Sequence, residues 1–302
     1  MTAISLSSDP ESRDNYGPYV PNISAACPST GAPILYNDIP SLAAALDAHG
    51  PDVAAFIVEP IQGEAGVVVP SDTYLAEAAA LCKRHNVLFI VDEIQTGIAR
   101  TGKMLCSHWA GPDVKPDMIT LGKAISGGMY PVSCVLADRD LMLVVEPGTH
   151  GSTYGGNPLG CAVSLRALEL VEEEGLVDKA ERLGKLFRDG VEAFNSPVVK
   201  TVRGKGLLNA VVIDEDKAAG RTAWDLCLLL KERGVLVSLD PSFEFADEIT
   251  DTFMTRQAKP THGNIIRFAP PLVITEEELQ KALGIIGQAL QDLPTVDKAE
   301  GH

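Results

Sequence analysis

Apolar and polar positions along the 302-residue chain follow two different spacings. Short continuous apolar runs predict buried strands, whereas apolar residues that recur every three or four positions predict amphipathic helices. In the first half, the pattern predicts helices over residues 41–48 and 74–84, and strands over residues 53–59, 87–92, 118–121 and 133–136. This alternation is typical of an α/β fold with a mainly parallel sheet.

The pattern changes after His150, where helical spacing dominates. It predicts helices over residues 159–174, 177–194, 222–233 and 276–290, and a strand over residues 207–213. Thr275 and Glu278 have the spacing of a capping box at the start of the last helix. We therefore place a domain boundary near residue 176. Residues 1–176 are expected to form a large domain and residues 177–302 a smaller α+β domain.

Composition and charge exclude several classes of protein. The hydrophobic content of 45% and the charged content of 22% are ordinary for a globular protein. A net charge of −16 argues against nucleic acid and anionic membranes as partners, because both attract clustered cations. No apolar run approaches the roughly 18 residues that span a bilayer. The six cysteines lack a Cys-x-x-Cys pair and the histidines lack metal-ligand spacing, so we expect reduced thiols, no metal site and a cytoplasmic location.

Two predicted strand ends carry the candidate chemistry. Asp92 ends one strand, and Lys123 follows the next in the run Ile-Thr-Leu-Gly-Lys-Ala-Ile-Ser-Gly-Gly. Either residue alone is most often a solvated strand end. A lysine amine can bond covalently to the aldehyde of pyridoxal 5′-phosphate, and a carboxylate can keep the pyridine nitrogen of that cofactor protonated. Together the two residues suggest chemistry that depends on this cofactor.

The stretch from Leu88 to Gly128 resembles the signature of the class III aminotransferases, which use pyridoxal phosphate. Several further stretches are similar to the ornithine aminotransferases within that class, and these are residues 58–70, 130–133, 150–158, 203–209 and 267–272. The resemblance implies fold type I of the pyridoxal-phosphate-dependent transferases. It also implies the conversion of L-ornithine and a 2-oxo acid, such as 2-oxoglutarate, to L-glutamate 5-semialdehyde and an amino acid, in arginine breakdown and proline synthesis.

The resemblance also implies roles for residues around the cofactor ring. Asp92 would pair with the ring nitrogen, Ile94 would pack on a ring face, and Gln95 would reach the side of the ring hydroxyl. Lys123 would hold the cofactor covalently and carry protons to and from the substrate carbon. Ser152 and Thr153 would bind the phosphate group in the neighbouring subunit, which implies a homodimer or higher oligomer with shared active sites.

Glu64 and Arg267 are implied to select the substrate. A planar guanidinium is well suited to bind a carboxylate. In the ornithine aminotransferases the matching glutamate covers the matching arginine while the δ-amine of ornithine reacts. The glutamate moves away when 2-oxoglutarate binds. Glu59, which precedes Pro60 at a strand end, is expected to orient the pocket.

Two departures from the family pattern leave alternatives open. Family members have a long additional segment before the position of Met1, so we expect an N-terminally truncated chain that is poorly stable and has little activity. Residues 237–257 match no family element and are expected to be a retained intron or a lineage-specific loop. The alternative functions are another class III aminotransferase, acting on acetylornithine or 4-aminobutyrate, and a non-catalytic fragment.

Overall fold

The computed structural model describes residues 22–235, 258–262 and 264–299, so the predicted insert at 237–257 lies outside the described residues. The helices of the described part are α1 (Ile39–His49), α2 (Tyr74–His85), α3 (Arg139–Met142), α4 (Pro158–Glu173), α5 (Leu176–Ala193), α6 (Ala223–Glu232) and α7 (Glu276–Asp292). The strands are β1 (Ala55–Val58), β2 (Leu88–Asp92), β3 (Met118–Leu121), β4 (Cys134–Ala137), β5 (Val199–Lys205), β6 (Leu208–Ile213), β7 (Ala258–His262) and β8 (Ile265–Phe268).

The first sheet has the strand order β1-β2-β3-β4. Strands β1, β2 and β3 are parallel, and β4 runs antiparallel to β3, so the predicted mainly parallel sheet is confirmed. Helices α1 and α2 contribute Leu42, Leu46 and Leu75 to a core that includes Phe89 and Val91 of β2. Because parallel strands end at the same edge, the loops after β1, β2 and β3 are brought together there.

The second sheet is antiparallel, with the order β5-β6-β8-β7. Every residue of β6 is buried, and helices α5, α6 and α7 contribute residues such as Leu183, Leu230 and Ile286 to the adjoining core. The sequence pattern predicted β6 but missed the other three strands. In β5 the residues Lys200, Arg203 and Lys205 conceal the apolar signal, and β8 has only four residues.

The predicted helices and strands agree with the observed ones to within two residues at each end. Local hydrogen bonds explain much of this agreement. Asn157 caps α4 by accepting from the Gly160 amide at 2.8 Å, and the predicted capping box of Thr275 and Glu278 is present at the start of α7. Helix α4 ends before residue 176 and α5 begins at it, and the two helices pack together. The domain boundary near residue 176 stays a prediction.

Arg100 joins the two sheets through backbone groups. Its Nη1 atom donates to the carbonyls of Leu207 at 3.1 Å and Pro270 at 2.6 Å, and the Leu207 amide donates to the Arg100 carbonyl at 3.0 Å. Burial lowers the pKa of the Arg100 guanidinium to about 10. The carbonyl of Pro270 follows β8 closely, so Arg100 fixes the end of β8 against the loop that follows β2.

Candidate active site

Asp92 lies at the carboxyl end of β2, in register with Thr120 of β3. Its Oδ1 atom accepts hydrogen bonds from the Thr120 hydroxyl and the Ile94 amide, both at 3.0 Å. One donor belongs to the neighbouring strand and the other to the loop after β2, so the orientation of the carboxylate is fixed from two directions. Thr120 was missed by the sequence analysis, although the spacing of parallel strands could have suggested it.

Lys123 follows β3 and begins a short 3-10 helix, Lys123–Ser126. Its φ angle of 43° lies in the left-handed region, which is uncommon for a residue with a side chain. Backbone strain of this kind is frequent at functional sites. The preceding Gly122 lies close to Ile94, because an added Cβ atom would be only 3.3 Å from Ile94 Cγ2. The loops after β2 and β3 are therefore in contact.

The electrostatic surroundings of Lys123 mix both signs of charge. Its side chain reaches solvent, yet partial desolvation by the surrounding protein lowers its pKa, and the nearby positive charge of Arg267 lowers it further. The carboxylates of Glu64, Glu59 and Asp92 act in the opposite direction. A lowered pKa increases the fraction of neutral amine, which is the form that attacks a carbonyl carbon.

Arg267 on β8 forms an ion pair with Glu64 across the two sheets. Its Nη1 atom lies 3.0 Å from Glu64 Oε2 and donates to Gln95 Oε1 at 3.3 Å. The Arg267 side chain is 18% exposed and the Glu64 side chain 56% exposed. Gly63 provides space for Gln95, because an added Cβ atom there would lie 2.5 Å from Gln95 Oε1. The structure thus brings the predicted specificity pair to the side chain of Gln95.

Glu59 lies near Glu64, immediately after β1. Its Oε2 atom accepts from the Gly63 amide at 3.2 Å, and the Tyr36 hydroxyl donates to the Glu59 carbonyl at 3.1 Å. Burial raises the pKa of the Glu59 carboxyl, and the negative charges of Asp92 and Glu64 raise it further. Glu59 therefore faces the same group of charges as Lys123.

Glu93 is the second residue that the sequence analysis left without a role. It is 1% exposed and accepts hydrogen bonds from the Thr96 hydroxyl at 2.6 Å, the Cys106 amide at 2.9 Å and the Ser107 amide at 2.7 Å. These three donors satisfy a buried carboxylate, which would otherwise be costly. Glu93 thereby fixes the loop after β2, which carries Ile94 and Gln95.

Ser152 and Thr153 lie apart from this cluster. Both are exposed, and the Ser152 hydroxyl accepts from the Gly155 amide at 2.9 Å within its own loop. Within residues 22–235 and 264–299, neither side chain forms a hydrogen bond or an ion pair with Asp92, Gln95 or Lys123. Within one chain, therefore, the structure does not bring the predicted phosphate-binding hydroxyls to the predicted ring-binding residues.

The clustered groups fit pyridoxal 5′-phosphate in their chemistry. A fixed carboxylate suits a protonated ring nitrogen, an amide side chain suits a ring hydroxyl, and a lysine of lowered pKa suits an aldehyde. Asp92, Gln95 and Lys123 supply these groups. In the part of the chain that the structure describes, no group of side chains could hold a metal ion. No helix of that part is long and apolar enough to cross a membrane.

Comparison with known proteins identifies the family of the chain. The family model named aminotransferase class-III matches residues 1–290 of the sequence. The chain therefore belongs to the class-III aminotransferases, as the resemblance of its sequence motifs predicted.

Two fungal relatives share one activity in their names. The chain is 62% identical to an ornithine aminotransferase of Emericella nidulans over 99% of its length, and 59% identical to one of Schizosaccharomyces pombe over 98%. It covers 61% and 63% of those two proteins. The chain thus spans about three fifths of the length of these relatives.

Solved structures confirm the predicted fold class. An ornithine aminotransferase of Toxoplasma gondii, which holds pyridoxal phosphate at partial occupancy, matches with a TM-score of 0.80 and 43% identity. The match covers 97% of this chain and 61% of that one. An acetylornithine aminotransferase of Elizabethkingia anophelis matches with a TM-score of 0.74 and 49% identity, over 87% of this chain and 63% of that one.

Proposed function

We propose that this protein is an ornithine 5-aminotransferase that uses pyridoxal 5′-phosphate. It would transfer the δ-amino group of L-ornithine to a 2-oxo acid such as 2-oxoglutarate, giving L-glutamate 5-semialdehyde and an amino acid. The observation that carries the proposal is the ion pair of Glu64 and Arg267 beside Gln95 and Lys123. The names of the fungal relatives support the same reaction.

Asp92, Ile94, Gln95 and Lys123 would hold the ring of the cofactor. When bound, the cofactor supplies an electron-withdrawing ring and an aldehyde that reacts with amines. Asp92, oriented by the Thr120 hydroxyl, would present its carboxylate to the ring nitrogen. Lys123 would take a proton from the carbon that bears the amine of the donor, and in the opposite half-reaction would supply one to the carbonyl carbon of the 2-oxo acid, a task that suits an amine of lowered pKa.

The exposure of Glu64 gives the ion pair the properties that two alternating substrates require. While the pair is closed, the charge of Arg267 is neutralised, so no substrate carboxylate is attracted and the δ-amine of ornithine can enter. Exposed ion pairs contribute only about 0–1 kcal/mol, so the second carboxylate of 2-oxoglutarate can displace Glu64 at low cost. The half-exposed side chain of Glu64 and the mostly covered side chain of Arg267 agree with this exchange.

Ser152 and Thr153 would complete the site in a second copy of the chain. Both residues are exposed, and in the described part of the chain Ser152 accepts a hydrogen bond within its own loop and none from Asp92, Gln95 or Lys123, which supports a homodimer with shared active sites. We place the protein in the cytoplasm. All six cysteines are free, in support of this location, whereas the names of the rat and Drosophila melanogaster relatives include the mitochondrion.

A second candidate is the acetylornithine aminotransferase reaction, supported by 49% identity to the Elizabethkingia anophelis enzyme. Both reactions use a δ-amine and the same glutamate-arginine pair could serve either. The two substrates differ at the α-nitrogen, which is a free, charged amine in ornithine but an acylated, neutral amide in N-acetylornithine. The reaction rates with ornithine and with N-acetylornithine therefore separate the candidates.

One experiment tests cofactor attachment and substrate choice together. The chain is mixed with pyridoxal phosphate, reduced with borohydride, and the labelled peptide is mapped. We expect the label on Lys123, and none in a Lys123→Ala variant. A label on Lys103, Lys115 or Lys205 would contradict the assignment of the site.

The unreduced sample is then mixed with ornithine, N-acetylornithine or 4-aminobutyrate, and the absorbance of the cofactor is followed. Fastest conversion with ornithine supports the proposal, and fastest conversion with N-acetylornithine supports the second candidate. A Lys123 label without conversion by any amine would instead identify a non-catalytic fragment.

A further inference from the structure

The turn that carries Glu64 is closed at its base and strained near its end. Gln62 and Val68 exchange two backbone hydrogen bonds, at 3.1 and 2.9 Å. Between them, Gly66 and Val67 have φ angles of 103° and 53°. A β-branched residue rarely adopts a positive φ, so Val67 is held in a costly conformation. The Gly66 and Val67 amides also donate to the Gly63 carbonyl, at 3.3 and 3.2 Å, so contacts from outside the turn act on a loop that is already closed.

Arg203 of β5 contacts the turn 62–68 from the second sheet. Its Nε atom donates to the Val67 carbonyl at 3.0 Å and to the Gly66 carbonyl at 3.3 Å, and its Nη2 atom donates to the Gly66 carbonyl at 2.8 Å. The guanidinium thus binds the carbonyls of the two residues with positive φ. Partial burial lowers the pKa of Arg203.

Arg203 and Arg267 lie in one row across the second sheet. Arg203 is paired with Ala210 of β6, and Ala210 is paired with Arg267 of β8. Directly paired residues point to the same face, so the two arginines are about 10 Å apart on one face, two strand spacings from each other. Ala210 between them is completely buried and small, which lets the turn 62–68 approach the sheet. One arginine binds the backbone of the turn and the other binds the carboxylate that the turn carries.

We propose that Arg203 is a positioning residue for substrate selection, because it holds the turn 62–68 in the shape that places Glu64 on Arg267. It controls the choice between an amine with no carboxylate near Arg267, such as ornithine, and a dicarboxylate such as glutamate. This inference rests on the proposed function and adds to it a residue that touches no substrate.

The first test measures the ratio of cofactor conversion rates with ornithine and with glutamate. Arg203→Gln should lower this ratio about two- to fivefold, and fivefold is the equivalent of losing an ion pair worth about 1 kcal/mol. Arg203→Lys keeps the charge but cannot form all the bonds, so its ratio should be intermediate. Arg188→Gln is the matched control, since Arg188 also donates to a backbone carbonyl, that of Gly206, and to Asn209 Oδ1, but makes no hydrogen bond to the turn 62–68. Its ratio should equal that of the parent chain.

A double-mutant cycle separates a role through Glu64 from a general effect on folding. Glu64→Ala should lower the ratio by a similar factor, and adding Arg203→Gln to Glu64→Ala should change it no further. An equal additional loss in that background would overturn the inference. If Glu64→Ala lowers the ratio but Arg203→Gln leaves it unchanged, the inference is also overturned, whereas the proposed function stands. If Glu64→Ala leaves the ratio unchanged, both are overturned.

A second measurement needs no turnover and therefore decides the matter if conversion is too slow to follow. Phenylglyoxal modifies exposed arginines, and the modified peptides are quantified by mass spectrometry. Arg267 should be modified about two- to fivefold faster in Glu64→Ala and in Arg203→Gln, because the covering carboxylate is lost or displaced. Arg188→Gln should leave the rate unchanged. Faster modification in Glu64→Ala but not in Arg203→Gln would refute the positioning role.

Discussion

Two glycines in helices of the same core should respond oppositely to the same substitution. Gly184 lies in α5, where an added Cβ atom would be 1.7 Å from the Gly206 carbonyl oxygen. Gly206 cannot easily move away, because a Cβ atom on it would itself be 2.4 Å from the carbonyl carbon of Thr101. Gly284 lies on the exposed side of α7 with nothing within 4 Å of its Cβ position.

The two magnitudes follow from helix propensity and packing. Replacing an exposed glycine within a helix by alanine stabilises a protein by about 0.5–1 kcal/mol, so Gly284→Ala should raise the free energy of unfolding by this amount. Overpacking a core costs about 1–3 kcal/mol, occasionally more. Both groups that collide at Gly184 belong to the backbone, so we expect Gly184→Ala to lower the free energy of unfolding by about 2–3 kcal/mol.

The comparison is made by urea unfolding of the parent chain and the two variants. Tryptophan fluorescence reports on the surroundings of Trp109 and of Trp224 in α6, and far-ultraviolet circular dichroism reports on the helices. Midpoints that move in opposite directions support the packing described for α5. If Gly184→Ala were as stable as Gly284→Ala, the close approach of α5 to the turn at Gly206 would be wrong.

Two further predictions concern the candidate site. Thr120→Val removes the hydroxyl that donates to Asp92. A hydrogen bond to a charged group is worth about 1.5–3 kcal/mol, so binding of pyridoxal phosphate should weaken about tenfold or more in an absorbance titration. Thr201→Val, at an exposed position of β5, should leave this binding unchanged. Because desolvation and a nearby cation lower the pKa of Lys123, the midpoint for its labelling by pyridoxal phosphate and borohydride should lie below the ordinary lysine value of 10.5, and Glu64→Gln should lower it further. The folded chain then binds the Lys123 proton more weakly than the unfolded chain, so the contribution of Lys123 to the free energy of unfolding should increase as the pH rises toward 10.5. A labelling midpoint at or above 10.5 would contradict the surroundings described for Lys123.

The helices and most strands could be predicted because their signals are local. A helix of seventeen residues such as α7 repeats its apolar spacing several times and starts at a capping box of neighbouring residues. Strand β5 gave no such signal, because Lys200, Arg203 and Lys205 interrupt its apolar residues. Its place in the sheet depends on pairing with β6, a property of two segments together.

The same distinction applies to the candidate site. Asp92 and Lys123 could be singled out from the sequence because each follows an apolar strand and because their chemistry matches one cofactor. Their supporting residues could not, since Thr120 becomes a partner of Asp92 only through the register of β2 and β3. Arg203 likewise acquires its contacts only when the second sheet packs on the turn 62–68.

The sequence by itself determined the α/β class through its local periodicity, and the family through the resemblance of its motifs. It also pointed to residues able to react, because their chemistry belongs to single side chains. Only the tertiary structure decided how those residues are held. Glu64 and Arg267 are 203 positions apart, and their contact requires two sheets to meet with a definite strand register. Periodicity along a chain contains no record of that register, which is set by the packing of the β6 residues and Arg100 between the sheets.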